Sequence, residues 1–472
     1  MRPVGLWKIR WGGLALTSVL IAGAAGYPVA ASAAAAPAPA LTKGEVSPTP
    51  AAGTPALQFN GPRERIRQLA MCGGIMYAAG DFSTIVQNGR TYTRQNLFSF
   101  KATAPYTVTS WAPAVNGIVN SIAFDGTNCA DAYIGGMFTT VNGDSAHNLA
   151  EISTSTGALA AGFGHSTSNQ VETLAVVKGH LLVGGYFKWI NGSERDPYFA
   201  SVSPATGHDD HFLDLKISGF YHYCKGSKCT TGTGSSIYNQ QVSHGRTLDL
   251  VEGDFTSVGG QPRQQIFMLN LATDPATVTG WTSPQWDGSA GNLPNGYPYQ
   301  CYFNEAFYVR SAAWSPNDQT IYLADTGYHP YNLSASGPRQ GLCDATSSWP
   351  ATQTKVFDNW ITYTGCYSLY SVAANNNAVY VAGHPKYAYD PDGCKSAGPG
   401  AIPDAGMAGL SASTGMPLLK KDGKPMYTMS RANADDMLLT GKGLWIASSN
   451  RYGSQYCGLR PGHSGICYLP YP

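Results

Sequence analysis

Seven short apolar stretches of this chain each carry a polar residue two places ahead of their first core residue. These residues are Arg67, Asn120, Glu172, Gln240, Arg310, Tyr370 and Asp436. Two guanidiniums, two carboxylates, two amides and a phenol can orient a polar ligand. A carboxylate pair, here Glu172 with Asp436, can also serve sugar hydrolysis when the two face one cavity about 5–9.5 Å apart. The plainer alternative is a solvated ring held by mutual hydrogen bonds. Other candidates are smaller. "HDDH" (His208 to His211) offers metal ligands or a solvated turn. "DPDG" from Asp390 resembles a fragment of a calcium loop without the remaining acidic ligands. Asn191 and Asn332 stand in glycosylation sequons, which matter only in a eukaryotic secretory path. Gly-x-Ser-x-Gly, His-Glu-x-x-His and phosphate-loop motifs are absent from the sequence. No cofactor motif is evident, and calcium is the one ion worth testing.

Composition narrows the function classes. The net charge is +1 and charged residues make up 12% of the chain, so no basic surface for nucleic acid is expected. Arg2, Lys8 and Arg10 precede an apolar run from Leu14 to Gly26, and a small-x-small pattern ends at Ala33. That order reads as an export signal over residues 1–33, with a retained membrane anchor as the alternative. The run is short for a span, which needs about 20 apolar residues. Residues 34–55 are rich in Ala, Pro and Thr and read as a disordered linker. A secreted monomer with no membrane span after cleavage follows.

The elements that must position these groups come from a repeat. "MYAAGDFSTIVQNG", "DAYIGGMFTTVNG", "LLVGGYFKWING" and "LDLVEGDFTSVGG" align on Phe82, Phe138, Phe187 and Phe255. A strand-like apolar run precedes each, and another follows. Looser copies put Gly327, Pro385 and Asn450 at the same place. The seven units recur at intervals of roughly 50–70 residues, longer than common propeller repeats and enough for four strands with long loops. One such sheet cannot bury both faces alone. Seven arranged radially can, which predicts an all-β, seven-bladed β-propeller of four-stranded antiparallel blades over residues 56–472. A solenoid of hairpins is the alternative. Closure is expected from "ALQF" (Ala56 onward) pairing with the final "GICYLPY". The recurring Phe is expected between blades, Asn-Gly in a positive-φ turn, and Asp81 and Asp254 as turn caps.

"YIGGMFTTVNGDSAHNLAEISTSTG" and "LVEGDFTSVGGQPRQQIFMLN" resemble the delta-60 repeat. It occurs in secreted and surface propellers of bacteria and in fungal cortical markers. The resemblance is strong from Ile66 to Trp281 and weak beyond. It implies a propeller and no particular activity.

Ten cysteines in an exported chain predict five disulfides. Metal ligation would want Cys-x-x-Cys or Cys/His clusters, which are lacking. Blade geometry pairs Cys301 with Cys343, Cys366 with Cys394, Cys457 with Cys467, Cys224 with Cys229, and Cys72 with Cys129. Long aromatic loops carry Tyr221, His222 and Tyr223; Trp286, Tyr297 and Tyr299; Tyr328, His329 and Tyr331; Tyr387 and Tyr389; and Tyr452 and Tyr456. They form either a binding face or packing between loops. A binding module for a glycan or a protein is the expectation. A glycan hydrolase or lyase in the central funnel is the alternative. A quinone-dependent dehydrogenase lacks its recurring tryptophan motifs.

Overall fold

The computed structural model describes residues 44–58, 63–126, 128–220, 234–285, 301, 307–328, 342–429, 434–450 and 463–472, together with the backbone of 223–225 and 228–230. The expected export signal and residues 34–43 of the expected linker therefore lie outside the described residues. Among those described no helix is long and apolar enough to cross a membrane.

Among the described residues seven antiparallel sheets are each built outward from an inner strand, with five smaller ribbons beside them. The inner strands are Arg65–Cys72, Ile118–Asp125, Val171–Val177, Ser236–Val242, Tyr308–Trp314, Leu369–Ala374 and Ala434–Thr440. Each lies beside the inner strands of the preceding and following sheets, and the seventh lies beside the first. We number the sheets 1 to 7 in that order. The chain is thus an all-β propeller, its sheets radiating from a common centre.

Sheets 4 and 5 have four strands; the other five have three among the described residues. In sheets 1, 2, 3 and 6 the outermost segment is reduced to a single bridge, as at Phe100 with Val108 and Ile152 with Leu159. Backbone hydrogen bonds flank the bridge, as from Lys101 to the Thr107 carbonyl at 3.0 Å and from Thr109 to that of Ser99 at 2.9 Å.

Apolar residues fill the seven spaces between neighbouring sheets. Phe138 lies with Tyr77 and Trp111 of sheet 1, Phe187 with Tyr133 of sheet 2, and Phe255 with Phe199 of sheet 3. Phe82 lies with Trp445 of sheet 7. The repeated Phe is therefore an inter-sheet residue, as expected. Trp indoles add polar ties: Trp111 Nε1 donates to the Ser153 carbonyl at 3.0 Å and Trp281 Nε1 to that of Pro350 at 2.9 Å.

The segment after each repeated Phe turns as a tight hairpin. Asn88-Gly89, Asn142-Gly143, Asn191-Gly192 and Gly259-Gly260 all have two successive positive φ values, the geometry that matches the strand twist. At the first turn the cap differs from expectation, and the next two turns are capped in the same way. Ser83 N–H is met by Glu64, Thr139 N–H by Asn116 and Lys188 N–H by Ser168. All three caps precede the inner strand, where the chain enters the sheet beside the turn, whereas Asp81 points to solvent.

Closure uses more chain than "ALQF". Ala56–Leu57 pairs with Ile85 and Val86, and Leu57 meets the end of the chain at Ser464, whose carbonyl accepts from the Leu57 N–H at 2.9 Å and whose Oγ donates to the Leu57 carbonyl at 3.5 Å. The last strand, Ile466–Pro470, is met instead by Ser47 and Ala51, whose N–H groups bond Pro470 and Tyr468 carbonyls at 2.7 and 2.9 Å. Val46 is fully buried. Its N–H donates to Tyr380 Oη at 2.9 Å and its carbonyl accepts from Tyr427 Oη at 2.7 Å. Residues 44–55 are therefore part of the fold, not of a linker. Their prolines prevent a regular ladder, which is why composition disguised them.

Three of the expected disulfides are present: Cys72–Cys129, Cys301–Cys343 and Cys366–Cys394. Cys224 and Cys229 are register partners in a small ribbon, of which only the backbone is described. Cys457 lies outside the described residues.

Candidate functional site

The inner strands share one local irregularity. In every sheet the register between inner and second strand slips by one residue near the start of the inner strand. The extra residues are Arg67, Asn120, Glu172, Tyr238, Arg310, Tyr370 and Asp435. A β-bulge leaves one residue unpaired and re-aims its side chain. Here all seven border one central cavity of about 400 Å³.

The glycines of the repeat explain how the bulge is accommodated. Opposite the residue before each bulge stand Gly80, Gly136, Gly185, Gly253, Asp325, Gly383 and Ser448. A Cβ on Gly80, Gly136 or Gly253 would lie 2.1 Å from the carbonyl oxygen of Arg65, Ile118 or Ser236. No side chain fits at that distance. In these three sheets the glycine lets the bulged strand approach, whereas Asp325 and Ser448 hold the same place in sheets 5 and 7.

The inner strand is also a sheet edge, so its outward N–H groups need partners. The polar residue after each bulge supplies several of them. Gln68 Oε1 accepts from Ile122 N–H at 2.6 Å and Ser121 Oγ from Leu174 N–H at 3.0 Å. Asp436 Oδ2 accepts from Leu69 N–H at 2.9 Å. These bonds tie sheets 7, 1, 2 and 3 in succession at the rim of the cavity.

All seven residues expected at the centre line the cavity. Five of them, Arg67, Asn120, Glu172, Arg310 and Tyr370, are bulge residues. Asp436 lies one place beyond its bulge and binds the Leu69 N–H. Gln240 lies two places beyond and donates from Nε2 to the Leu182 carbonyl at 3.4 Å. In their sheets the bulge residues are Asp435 and Tyr238, which the sequence reading missed. The signal was present: Ala434-Asp435-Asp436 and Ile237-Tyr238-Asn239 repeat the order apolar, site, polar of Ile66-Arg67-Gln68.

The cavity has two unlike sides. On one, Asp435 pairs with Arg65 at 3.2 Å, and Arg67 acts on both Asp435 and Glu172. Glu172 accepts from Gln170 Nε2 at 2.6 Å, and Asn120 Nδ2 donates to the Val171 carbonyl at 2.9 Å. Burial pushes the Glu172 and Asp435 carboxyls up to about 7, against the pull of the arginines. On the other side the Arg310 guanidinium lies 5.3 Å from the ring centres of both Tyr238 and Tyr308. The Nε atoms of Arg67 and Arg310 are buried without a hydrogen-bond partner in the protein.

The peripheral candidates resolve into structure. Asp210 binds His180 Nδ1 at 2.8 Å, and Asp209 accepts from Ser193 Oγ at 2.8 Å, so "HDDH" braces sheet 3. Asp390 Oδ1 accepts from the N–H groups of Gly393 and Gly398 at 2.8 and 2.9 Å, which makes it a loop cap. The Asn191 amide donates to the Gly164 and Gly207 carbonyls and is not presented for glycosylation. Among the described residues no three His, Cys, Asp or Glu side chains are grouped to hold a metal ion. Of the aromatic loops, Tyr328 is half-buried and Tyr387 and Tyr389 lie in or beside a short ribbon. Asn332 and the other loop aromatics lie outside the described residues, apart from the backbone of Tyr223.

No family model and no curated protein matches the sequence. Among solved structures the chain is similar to the structure of U3-55K, at 9% identity and a TM-score of 0.45, over 89% of this chain and 100% of that one. It is also similar to the WD40 beta propeller domain of Doa1, at 10% identity and a TM-score of 0.40, over 88% and 96%.

Proposed function

We propose that this chain is a secreted or cell-surface, seven-bladed β-propeller of the delta-60 repeat kind that binds a glycan or a protein segment at its central cavity. The carrying observation is the ring of bulges. Seven sheets spend the same irregularity on aiming a polar or aromatic group at one point, and two guanidiniums there have buried donors without protein partners. Unused donors around a defined cavity are what a polar ligand satisfies. Disulfides support an oxidising compartment.

The test is calorimetric titration with a panel of oligosaccharides and peptides. A ligand class should bind, and Arg67→Ala and Tyr238→Ala should each weaken it on the order of tenfold. Silence across the panel, or binding indifferent to both variants, overturns the reading.

A catalytic reading has one observation in its favour: Glu172 and Asp435 border the same cavity, each held up to about 7, where a carboxyl can serve as general acid near neutrality. It requires glycan cleavage by the wild-type protein that Glu172→Gln abolishes.

A further inference from the structure

We infer that the cavity selects an acidic saccharide, a hydroxylated ring bearing a carboxylate, and that Arg310 with Tyr238 and Tyr370 forms the carboxylate's seat. The inference rests on the binding function proposed above and deepens it.

Charge compensation sets one arginine of the cavity apart from the others. Arg65 has its carboxylate in Asp435, and Arg67 is under the influence of both Asp435 and Glu172. Arg310 differs. Among the described residues it makes no ion pair, and its Nε has no hydrogen-bond partner. What surrounds it is aromatic: the rings of Tyr238 and Tyr308 lie 5.3 Å from its guanidinium carbon, and its charge acts on the Tyr370 phenol. Asp254 and Asp344 act on those same phenols without reaching ion-pair distance of Arg310. A guanidinium held by ring faces keeps its in-plane N–H fork free. That fork matches a carboxylate in two parallel hydrogen bonds.

The rest of the cavity suits the remainder of such a ligand. Tyrosine faces offer flat apolar area to the C–H face of a sugar ring. Across the cavity, Glu172 and Asp435 can exchange hydrogen bonds with hydroxyls. A volume of about 400 Å³ lies at the small end of ligand pockets and suits a terminal unit rather than a long chain.

The test titrates three disaccharides of one size into the whole protein: one carrying a uronic acid, its neutral counterpart, and a sulfated counterpart. The uronic acid should bind on the order of tenfold tighter than the neutral sugar, and more weakly as salt rises. Arg310→Met should remove that preference, whereas Arg90→Met, a cation on an outer hairpin, should leave it intact. Equal affinity for acidic and neutral sugars overturns the inference, as does a preference that survives Arg310→Met. Preference for the sulfated sugar alone overturns the carboxylate assignment. Should Arg310→Met fail to fold, the salt titration of the wild-type protein decides, and a salt-independent affinity overturns the inference. Neutral sugar binding that Tyr238→Ala weakens would leave the proposed function standing while this inference falls. Failure of every sugar removes the inference, and the peptide titrations then decide the broader proposal.

Discussion

At the scale of single residues, the cavity acids couple stability to pH. Burial raises Glu172 and Asp435 to about 7 and Asp436 to about 6 and, away from the cavity, Asp196 to about 6. Each binds a proton more readily in the folded chain than in the unfolded one. Their contribution is therefore fully present below the ordinary carboxyl range and is lost as pH rises through 6 to 7. The protein should melt at a higher temperature at pH 5 than at pH 8. Glu172→Gln, which mimics the protonated acid, should raise the melting temperature at pH 8 and change it little at pH 5. A variant that keeps the full wild-type pH dependence would count against this account. The same residues show how far the sequence could be read. A period-two pattern with a polar start located Arg67, Asn120, Glu172, Arg310 and Tyr370. It slipped at Asp435 and Tyr238, because a bulge adds one residue and the alternation changes face there.

At the scale of the element, the unit is a bulged inner strand, a glycine opposite the bulge, and a hairpin with an inter-sheet Phe. The glycine is the most exacting part. In Gly136→Ala the added methyl meets the Ile118 carbonyl at 2.1 Å, so the bulge must open or the strands must part. A loss of roughly 2 kcal/mol or more is expected, measured as a fall in the urea midpoint. Gly143→Ala strains only a turn with φ of 91° and open space around it, and it should cost about 1 kcal/mol. Equal losses for the two would mean that the close approach at the bulge is not what demands the glycine. In sheets 5 and 7 the glycine is replaced by Asp325 and Ser448, yet the bulge remains. That is why the repeat fades in the sequence while the geometry persists.

At the scale of the whole molecule, the ring is closed by two kinds of contact. Sheets 7 and 1 share a core in which Phe100 and Tyr106 meet Trp445. Outside it, residues 44–57 run along the last strand and are pinned at Val46 by two tyrosine hydroxyls. Removing residues 44–57 would expose that strand's edge and strip the Tyr380 and Tyr427 hydroxyls of their Val46 backbone partners. Such a truncation should melt well below the full chain and aggregate more readily. If it melts like the full chain, the segment is a passenger rather than the closing piece.

The repeat, the all-β class, the inter-sheet Phe, the positive-φ turns and three disulfide pairs were all legible in the sequence. Each depends on local periodicity, on glycine's freedom, or on where a strand end must fall. Two things were decided only in the tertiary structure. One is that an Ala- and Pro-rich stretch belongs to the fold, because its partners lie more than 300 residues away. The other is which residue of each inner strand faces the centre. That is set by a one-residue slip between paired strands, and a register is a property of two strands that neither states alone.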